Sequence, residues 1–252
     1  MKSLGKKGSH IEVIISFVIF VSALIALYAI VKPVIGEPID KKYLVSYIKT
    51  QIQENTSDQL VVQYIDVTGN MGDKTCFILK DYNPNPPSLI VKYESEAKKN
   101  AYSTPNDNWL LIDFNKKGKY KIYYKDSFDN IVENNDLNDC DKLKKDEGYT
   151  IGDKKTLRYV FLSNIKILAE DYTENYAKIK EDYKIPAGMN FEFEFRDPAI
   201  KNILYQGTRP KSEKKNKEIY AEEIPVIYAD YDTSSDDIKI KTGFLTVKVW
   251  SD

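Results

Sequence analysis

The hydrophobic positions form one long apolar run near the N-terminus and many short runs beyond it. Residues 13–31 carry no charged side chain, and only Ser16 and Ser22 are polar among them. As a helix rising about 1.5 Å per residue, this run is about 28 Å long, close to the roughly 30 Å hydrocarbon core of a bilayer. Pro33 follows and ends the helix, because proline lacks the amide donor that a helix interior requires. The pattern predicts one membrane-spanning helix over residues 11–32.

The charges beside this run predict its orientation. Lys2, Lys6 and Lys7 precede it, and no acidic residue comes before Glu12. Because basic residues are retained on the cytoplasmic side of a membrane, we expect the N-terminus inside and the rest of the chain outside. The predicted organisation is a cytoplasmic tail over 1–10, a transmembrane helix over 11–32 and an extracytoplasmic β-rich domain over 33–252, with a subdivision near 126–150.

Two other interpretations of the apolar run are a cleaved secretory signal peptide and a helix buried in a soluble protein. A signal peptide usually has an apolar region of about 7–15 residues, and this run is longer. A buried helix of this kind needs apolar surroundings on every side, and no other segment is apolar enough to supply them. An uncleaved or pilin-type anchor accounts better for the sequence.

A short motif precedes the apolar run, in which a basic pair, Gly8 and Ser9 are followed by Glu12. This motif resembles the prepilin-type (class III) signal segment of type IV pilin-like proteins, especially the archaeal ones. The resemblance implies cleavage after Gly8 by a prepilin peptidase, a new amine on Ser9, and pairing of Glu12 with the amine of a neighbouring pilin-like subunit. A carboxylate at the membrane edge is costly without a partner cation, which is a physical reason for such pairing. The outer domain looks like uncharacterised archaeal cell-surface proteins in its general layout.

Helix and strand patterns follow the apolar run. Apolar residues recur every four positions in 41–54, which predicts an amphipathic helix with Asp40 as its N-cap. A second helix is predicted over 164–183, with a kink near Thr173. Runs rich in β-branched and aromatic residues predict strands at 60–67, 75–80, 88–93, 109–114, 120–124, 156–162, 191–195, 224–228, 238–241 and 244–250.

These elements predict an α+β fold, with a mostly antiparallel sheet or sandwich and one or two packed helices. The turn at 116–119 predicts a hairpin between strands 109–114 and 120–124. Gly243 is expected to separate the last two strands.

The stretch 191–195 alternates three phenylalanines with Glu192 and Glu194. Such alternation predicts a strand with a buried phenylalanine face and a solvent-exposed glutamate face. Glycosidases also use two carboxylates, but these must face one cleft. We therefore interpret the pair as a solvent face and predict no catalytic residue.

Cys76 and Cys140 are the two cysteines of the chain. An extracytoplasmic domain lies in an oxidising compartment, where a disulfide between them would contribute roughly 4 kcal/mol in the chain-entropy model. Two buried free thiols that act as small apolar side chains are the other interpretation.

Three further patterns bear on modification, metal binding and catalysis. Asn55 opens an N-glycosylation sequon on the predicted outer side, although an ordinary loop is the favoured interpretation. Residues 126–146 are rich in Asn and Asp but lack the spacing of a calcium loop, so we predict no metal site and no cofactor. His10 is the only histidine, so no hydroxyl or thiol of the outer domain has a histidine to activate it.

The charge balance bears on the partners. Four of the 37 basic and one of the 38 acidic residues lie in the first 32 positions, which leaves the outer part four charges negative. Nucleic-acid binding needs a basic excess, so we expect no nucleic-acid partner, and no small-molecule substrate is indicated. We expect a non-enzymatic pilin-like surface protein in the lipid bilayer, structural or accessory in a pilus or secretion-type assembly. The alternative is a stand-alone membrane-tethered module that binds a protein, glycan or envelope ligand.

Overall fold

The computed structural model describes residues 9–31, 40–70, 72–83, 89–94, 97–102, 108–126, 128, 139–199, 202–215, 217–232 and 237–251. Gly8, Pro33 and most of the polar stretch 126–146 lie outside these residues. The helices are α1 (Ser9–Val31), α2 (Lys41–Thr56), α3 (Leu162–Glu174), α4 (Tyr176–Asp182) and α5 (Lys211–Lys214). The strands are β1 (Ser57–Val67), β2 (Phe77–Lys80), β3 (Leu89–Tyr93), β4 (Ala97–Lys99), β5 (Ala101–Tyr102), β6 (Trp109–Ile112), β7 (Gly118–Tyr124), β8 (Asp141–Leu143), β9 (Tyr149–Phe161), β10 (Met189–Asp197), β11 (Asn202–Gly207), β12 (Tyr220–Asp232) and β13 (Asp237–Ser251).

The fold is α+β with mostly antiparallel strands, as the sequence predicts. One sheet has nine strands in the order β11-β10-β13-β12-β9-β1-β7-β3-β4, and the other has four in the order β5-β6-β2-β8. Parallel pairing joins β12 to β9 and β2 to β8. The chain forms two compact units, Met1–Leu44 and Val45–Asp252, and both sheets belong to the second.

The four-stranded sheet packs against β1, β7 and β3 of the larger sheet. Alternate residues of these strands point into a shared core, because successive side chains of a strand face opposite sides. This core includes Val91 of β3, Ile122 of β7 and, from the facing sheet, Phe77 and Leu79 of β2 and Leu110 and Ile112 of β6. The two sheets therefore form a sandwich over this half of the larger sheet.

The other half of the larger sheet, β10, β13 and β12, buries an aromatic face. Phe191, Phe193 and Phe195 are fully buried, and Tyr172 of α3 makes edge-to-face contacts with the first two rings. Helix α2 is linked to β12 by an ion pair of 2.5 Å between the buried Lys49 and Glu222. Helices thus take the place that the second sheet has in the sandwich half.

The hairpin of β12 and β13 turns back over the opposite end of its own sheet. Ala229 and Ile238 share a hydrophobic cluster with Ile90 of β3 and Tyr123 of β7. Strands that are separated in the sheet order meet in this cluster, so the nine-stranded sheet is strongly bent. The bend creates the cleft described below.

The predicted hairpin between 109–114 and 120–124 is wrong. β6 pairs with β2 and β5 in the smaller sheet, whereas β7 pairs with β1 and β3 in the larger one. Leu110 of β6 and Ile122 of β7 both belong to the core between the two sheets. A short polar turn is compatible with a chain that crosses between sheets as well as with a hairpin, and burial of both apolar faces favours the crossing.

The predicted break at Gly243 is also wrong, because β13 continues through it and Gly243 pairs with Val226. A Cβ atom at this position would lie 2.7 Å from Cζ of Phe195 and 3.0 Å from the carbonyl oxygen of Arg196. The glycine allows a phenylalanine ring to pack closely against the strand. Glycine inside a strand can thus mark a close approach as well as a break.

The two predicted helices are present with small shifts. The side chain of Asp40 accepts a 2.9 Å hydrogen bond from the amide of Lys42, which confirms the N-cap of α2. The helix predicted over 164–183 is divided at Asn175 into α3 and α4, two residues after the expected kink at Thr173.

Candidate functional site

The N-terminal segment forms helix α1, which starts at Ser9 and contains Glu12. Large apolar side chains are exposed on all sides between Val13 and Tyr28, where the exposed fractions of these two residues are 65 % and 67 %. Ser22 donates a 2.7 Å hydrogen bond to the carbonyl oxygen of Val18, which satisfies the hydroxyl within the helix. Among the described residues, no helix is both long enough and apolar enough to cross a membrane.

Cys76 and Cys140 are joined by a disulfide, with their Cα atoms 4.9 Å apart. The two residues precede the parallel strands β2 and β8, and the amide of Asp141 donates a 3.0 Å hydrogen bond to the carbonyl oxygen of Cys76. The bond therefore ties together the beginnings of two neighbouring strands. Ile78, Leu111 and Cys140 form a small buried cluster beside it.

Asn55, the residue of the predicted sequon, lies exposed in the last turn of α2 and not in a loop. Thr56 is buried, and its hydroxyl donates a 2.6 Å hydrogen bond to the carbonyl oxygen of Ile52. Thr56 is the middle residue of the sequon, whose acceptor hydroxyl belongs to Ser57, the half-buried first residue of β1. Glycosylation of Asn55 stays a prediction.

The prediction that both glutamates of β10 face solvent is wrong for Glu192, which is 2 % exposed. Its carboxylate lies 2.6 Å from the Nζ atom of Lys214 and 3.4 Å from that of Lys248. Lys214 belongs to α5, which lies outside β10 in the sequence. The alternation within β10 therefore cannot indicate that Glu192 has this partner. Lys248 also pairs with Glu194.

These charges form a compensated cluster. Burial alone would lower the pKa of Lys248, but the carboxylates of Glu194 and Glu192 outweigh it and hold that pKa above its ordinary value. Both glutamates are therefore paired with lysines. They lie on the same strand, so they do not oppose each other across a cleft as the two carboxylates of a glycosidase do.

A lysine-lined cleft of about 460 Å³ lies where the β12–β13 hairpin meets β3 and β7. Four lysines line it, one each from β3 and β7 and two from β13: Lys92, Lys121, Lys239 and Lys241. The buried side chains of Tyr123 and Ile238 also line it. We name these residues the lysine cleft.

Two of the lysines are held by carboxylates. Lys92, which is buried, lies 2.9 Å from Asp237, and Lys241 lies 3.0 Å from Asp230. Lys121 lies over the ring of Tyr64 at 5.7 Å from the ring centroid. Within the described ranges, Lys121 and Lys239 make no ion pair, so the cleft has a positive side that faces solvent.

Asp197 lies beside the cleft and helps to position Lys241. It is 2 % exposed, accepts a 2.8 Å hydrogen bond from the hydroxyl of Tyr228, and lies 3.7 Å from the Nζ atom of Lys241. Burial alone would raise the pKa of Asp197, but these two partners and the amide of Ala199 outweigh it and hold the pKa below its ordinary value.

The sequence does contain a weak signal for the cleft. Lys92 interrupts the otherwise apolar stretch of β3 and is nevertheless buried. Lys239 and Lys241 alternate with Ile238 and Ile240, which indicates one charged strand face. The approach of β13 to β3 and β7 depends on the bend of the sheet, which local patterns do not encode.

No protein-family model, curated protein or solved structure matches this chain. Within the part of the chain that the structure describes, no three His, Cys, Asp or Glu side chains are grouped to hold a metal ion. The features available for a functional interpretation are the N-terminal segment, the disulfide and the lysine cleft.

Proposed function

We propose that the chain is a membrane-anchored, pilin-like cell-surface protein, a structural or accessory component of a pilus or secretion-type assembly. The observation that carries the proposal is the N-terminal segment. Residues 13–31 contain no charge, and the motif of Gly8, Ser9 and Glu12 stands directly before them. The exposed apolar side chains of α1 are of the kind that lipid or the helices of neighbouring subunits would cover.

The disulfide supports an extracytoplasmic position for the sheets. Disulfides persist in oxidising compartments and are rare in the cytosol. Cys76 and Cys140 are far apart in sequence and close in the fold. A domain exported across the membrane by an N-terminal anchor would meet the conditions under which this bond forms.

The intact mass of the protein, extracted from its native membrane, tests the proposal. Processing of the pilin type gives a chain that begins at Ser9. Extraction with carbonate should leave the protein in the membrane fraction. A chain that begins at Met1 would contradict pilin-type processing, and a soluble chain that begins after residue 36 would contradict the anchor itself.

The role of Glu12 is tested by substitution. Glu12→Ala should abolish co-purification with pilin-like subunits while the protein stays in the membrane, because the proposed amine partner loses its counter-charge. Glu54→Ala is a matched control in the exposed end of α2 and should have no effect on assembly. Equal assembly by both variants would count against a pilin-like role.

The lysine cleft favours a second candidate function, that of a tethered module for an anionic glycan or envelope polymer. Four lysines meet in one cleft of a chain whose outer part carries a net negative charge. Convergence of like charges is unfavourable for folding unless carboxylates or a ligand compensate it. Lys121 and Lys239 are the two positions at which a carboxylate, sulfate or phosphate group would bind.

Binding of dextran sulfate, with neutral dextran as the reference, tests this candidate. Lys121→Glu combined with Lys239→Glu should weaken binding at least about tenfold, and added salt should weaken wild-type binding as screening increases. Lys144→Glu combined with Lys178→Glu removes two exposed lysines elsewhere and controls for net charge. If both double variants lose affinity equally, binding is non-specific and the cleft has no special role.

A further inference from the structure

A groove of about 420 Å³ lies where the last turn of α2 meets α3 and α4. The side-chain amide of Asn164, near the start of α3, donates a 3.3 Å hydrogen bond to the carbonyl oxygen of Thr56 at the end of α2. This bond ties the two helices together beside the groove. All residues that line the groove belong to the second compact unit.

The charged side chains of this groove are acidic. Asp171 of α3 and Asp182 of α4 are exposed and line it, and no described lysine or arginine does. Across the ranges that the structure describes, neither carboxylate has an ion-pair partner. The C-terminal end of α2 also lines the groove and adds the partial negative charge of a helix end. We name this site the acidic groove, and its charge favours a cationic ligand.

A buried hydroxyl also lines the acidic groove. Tyr183 is 3 % exposed, and its hydroxyl proton has no acceptor among the described residues. Burial raises the pKa of this hydroxyl, the side chain of Asn55 lowers that pKa as a nearby amide donor, and the carboxylate of Asp182 raises it again. An amide donor supplies no acceptor for the hydroxyl proton. Because a buried donor without an acceptor is costly, a ligand that brings an acceptor to Tyr183 would gain from the contact.

The remaining wall of the acidic groove is apolar. Ile167, Leu168 and Ile179 line it, and Ile167 is 54 % exposed. Lysine and arginine combine an apolar stem with a charged head, so the stem can lie on such a wall while the head reaches a carboxylate. A small inorganic cation would use neither the wall nor the hydroxyl of Tyr183.

We propose that the acidic groove binds a basic peptide segment of a partner protein. A lysine or arginine side chain of the segment pairs with Asp171 and Asp182, and its stem lies on Ile167. A backbone carbonyl of the segment accepts a hydrogen bond from Tyr183. The charge, the apolar wall and the buried donor thus each have a counterpart in one short stretch of basic polypeptide. The proposal depends neither on the membrane anchor nor on pilin-type processing, and its site is separate from the lysine cleft.

Calorimetric titration of the full-length protein in a non-ionic detergent with a short oligolysine, blocked at both ends, tests the charge. The wild type should bind this peptide and should not bind a glycine–serine peptide of equal length. Asp171→Asn combined with Asp182→Asn should raise the dissociation constant at least about tenfold, because the charge-assisted contacts are lost. Asp113→Asn combined with Asp153→Asn removes the same charge from two exposed positions outside the groove. This control should stay within about twofold of the wild type, since distant exposed charges are screened.

Tyr183→Phe tests the hydroxyl. It should raise the dissociation constant about three- to tenfold, because the peptide carbonyl loses its donor. It should not lower the free energy of unfolding in urea, because the buried hydroxyl proton has no acceptor among the described residues of the free protein. A hydroxyl that serves only the fold would show the reverse, with lower stability and unchanged binding, and that result would overturn the contact with the peptide.

Urea titrations of both double variants establish that they are folded before their binding is compared. Loss of binding in the folded Asp171→Asn, Asp182→Asn variant alone supports the acidic groove. A wild type that does not bind oligolysine overturns the proposal. Equal weakening in both double variants also overturns it, because the attraction is then that of net charge and not of a site.

Discussion

The two halves of the nine-stranded sheet bury their apolar residues in different ways. β1, β7 and β3 are covered by a second sheet, whose strands are short and whose beginnings a disulfide ties together. β10, β13 and β12 lie against helices, with tyrosine and phenylalanine rings in contact and no covalent link. The difference shows that one continuous sheet is covered by helices at one end and, at the other, by a second sheet that carries its own cross-link.

The strand lengths explain why the cross-link lies where it does. β2, β6 and β8 have three or four residues each, whereas β10, β12 and β13 have nine or more. Short strands form few ladder hydrogen bonds, and a small sheet is marginal without further support. A disulfide between the starts of β2 and β8 restricts the unfolded chain at the point where the ladder contributes least.

The largest effect is expected from the aromatic face of the helix-covered half. Phe193→Ala should lower the free energy of unfolding by about 3–5 kcal/mol, because it removes a fully buried ring and its edge-to-face contact with Tyr172. Denaturant titration followed by tyrosine fluorescence measures it. Phe193→Leu keeps most of the volume and should cost clearly less, whereas equal losses would show that ring volume is not what matters.

Loss of the disulfide should be the next largest effect, and it should be felt in the sandwich half. Cys76→Ser combined with Cys140→Ser should lower the free energy of unfolding by about 2–4 kcal/mol. Hydrogen exchange should increase in β2 and β8 and stay slow in β10 and β13. Uniform acceleration in both halves would show that the two halves unfold as one unit and that the disulfide does not act on the sandwich half alone.

The sequence predicts the helix-covered half better than the sandwich half, for physical reasons. Residues 191–195 alternate strongly, and the apolar spacing of α2 and α3 is regular, so both faces are visible in the sequence. The sandwich depends on which sheet each short strand joins. The sequence of β6 is compatible with either sheet, and only the joint burial of both apolar faces places β6 beside β2.

Burial of charge is the other part that local pattern does not reveal. Glu192 occupies a position that alternation assigns to solvent, and Lys214 reaches it from a different segment. The lysine cleft likewise depends on contact between β13 and β3, which are far apart in the sheet order. Such sites form because the sheet bends and because separate segments of the chain meet. The sequence of each strand by itself indicates only an amphipathic strand.

A smaller effect is expected at Asp197. Asp197→Asn should lower the free energy of unfolding by about 1–3 kcal/mol near neutral pH, since a buried carboxylate loses charge-assisted bonds to Tyr228 and Lys241. The folded pKa of Asp197 lies below its ordinary value, so its contribution is present above the unfolded pKa of about 4 and is lost as pH falls through the folded pKa.

Urea titrations at several pH values should therefore show a constant difference between wild type and Asp197→Asn above about pH 5, which shrinks below about pH 4. Tyr228→Phe removes the hydrogen-bond donor and keeps the ring packed against Phe195. In a protein that carries Tyr228→Phe, adding Asp197→Asn should therefore lower the free energy of unfolding by less than it does in the wild type. A difference that persists unchanged into acid would show that the substitution acts through packing and not through charge.

The smallest effect is expected at Asp58, which begins the sandwich half and pairs with Lys125. Burial alone would raise the pKa of Asp58, but the hydrogen bond from Lys125 and the amide of Gln59 outweigh it and lower that pKa. The side chain of Asp58 is 49 % exposed, so water screens the pair, and Asp58→Asn should cost about 1 kcal/mol or less.

Screening by salt should weaken the exposed pair further and leave the buried pair at Asp197 nearly unchanged. Urea titrations in low and high salt therefore distinguish the two ends of the sheet. If salt reduces both differences equally, water reaches Asp197 as easily as Asp58, and burial does not decide how strongly each carboxylate stabilises the fold.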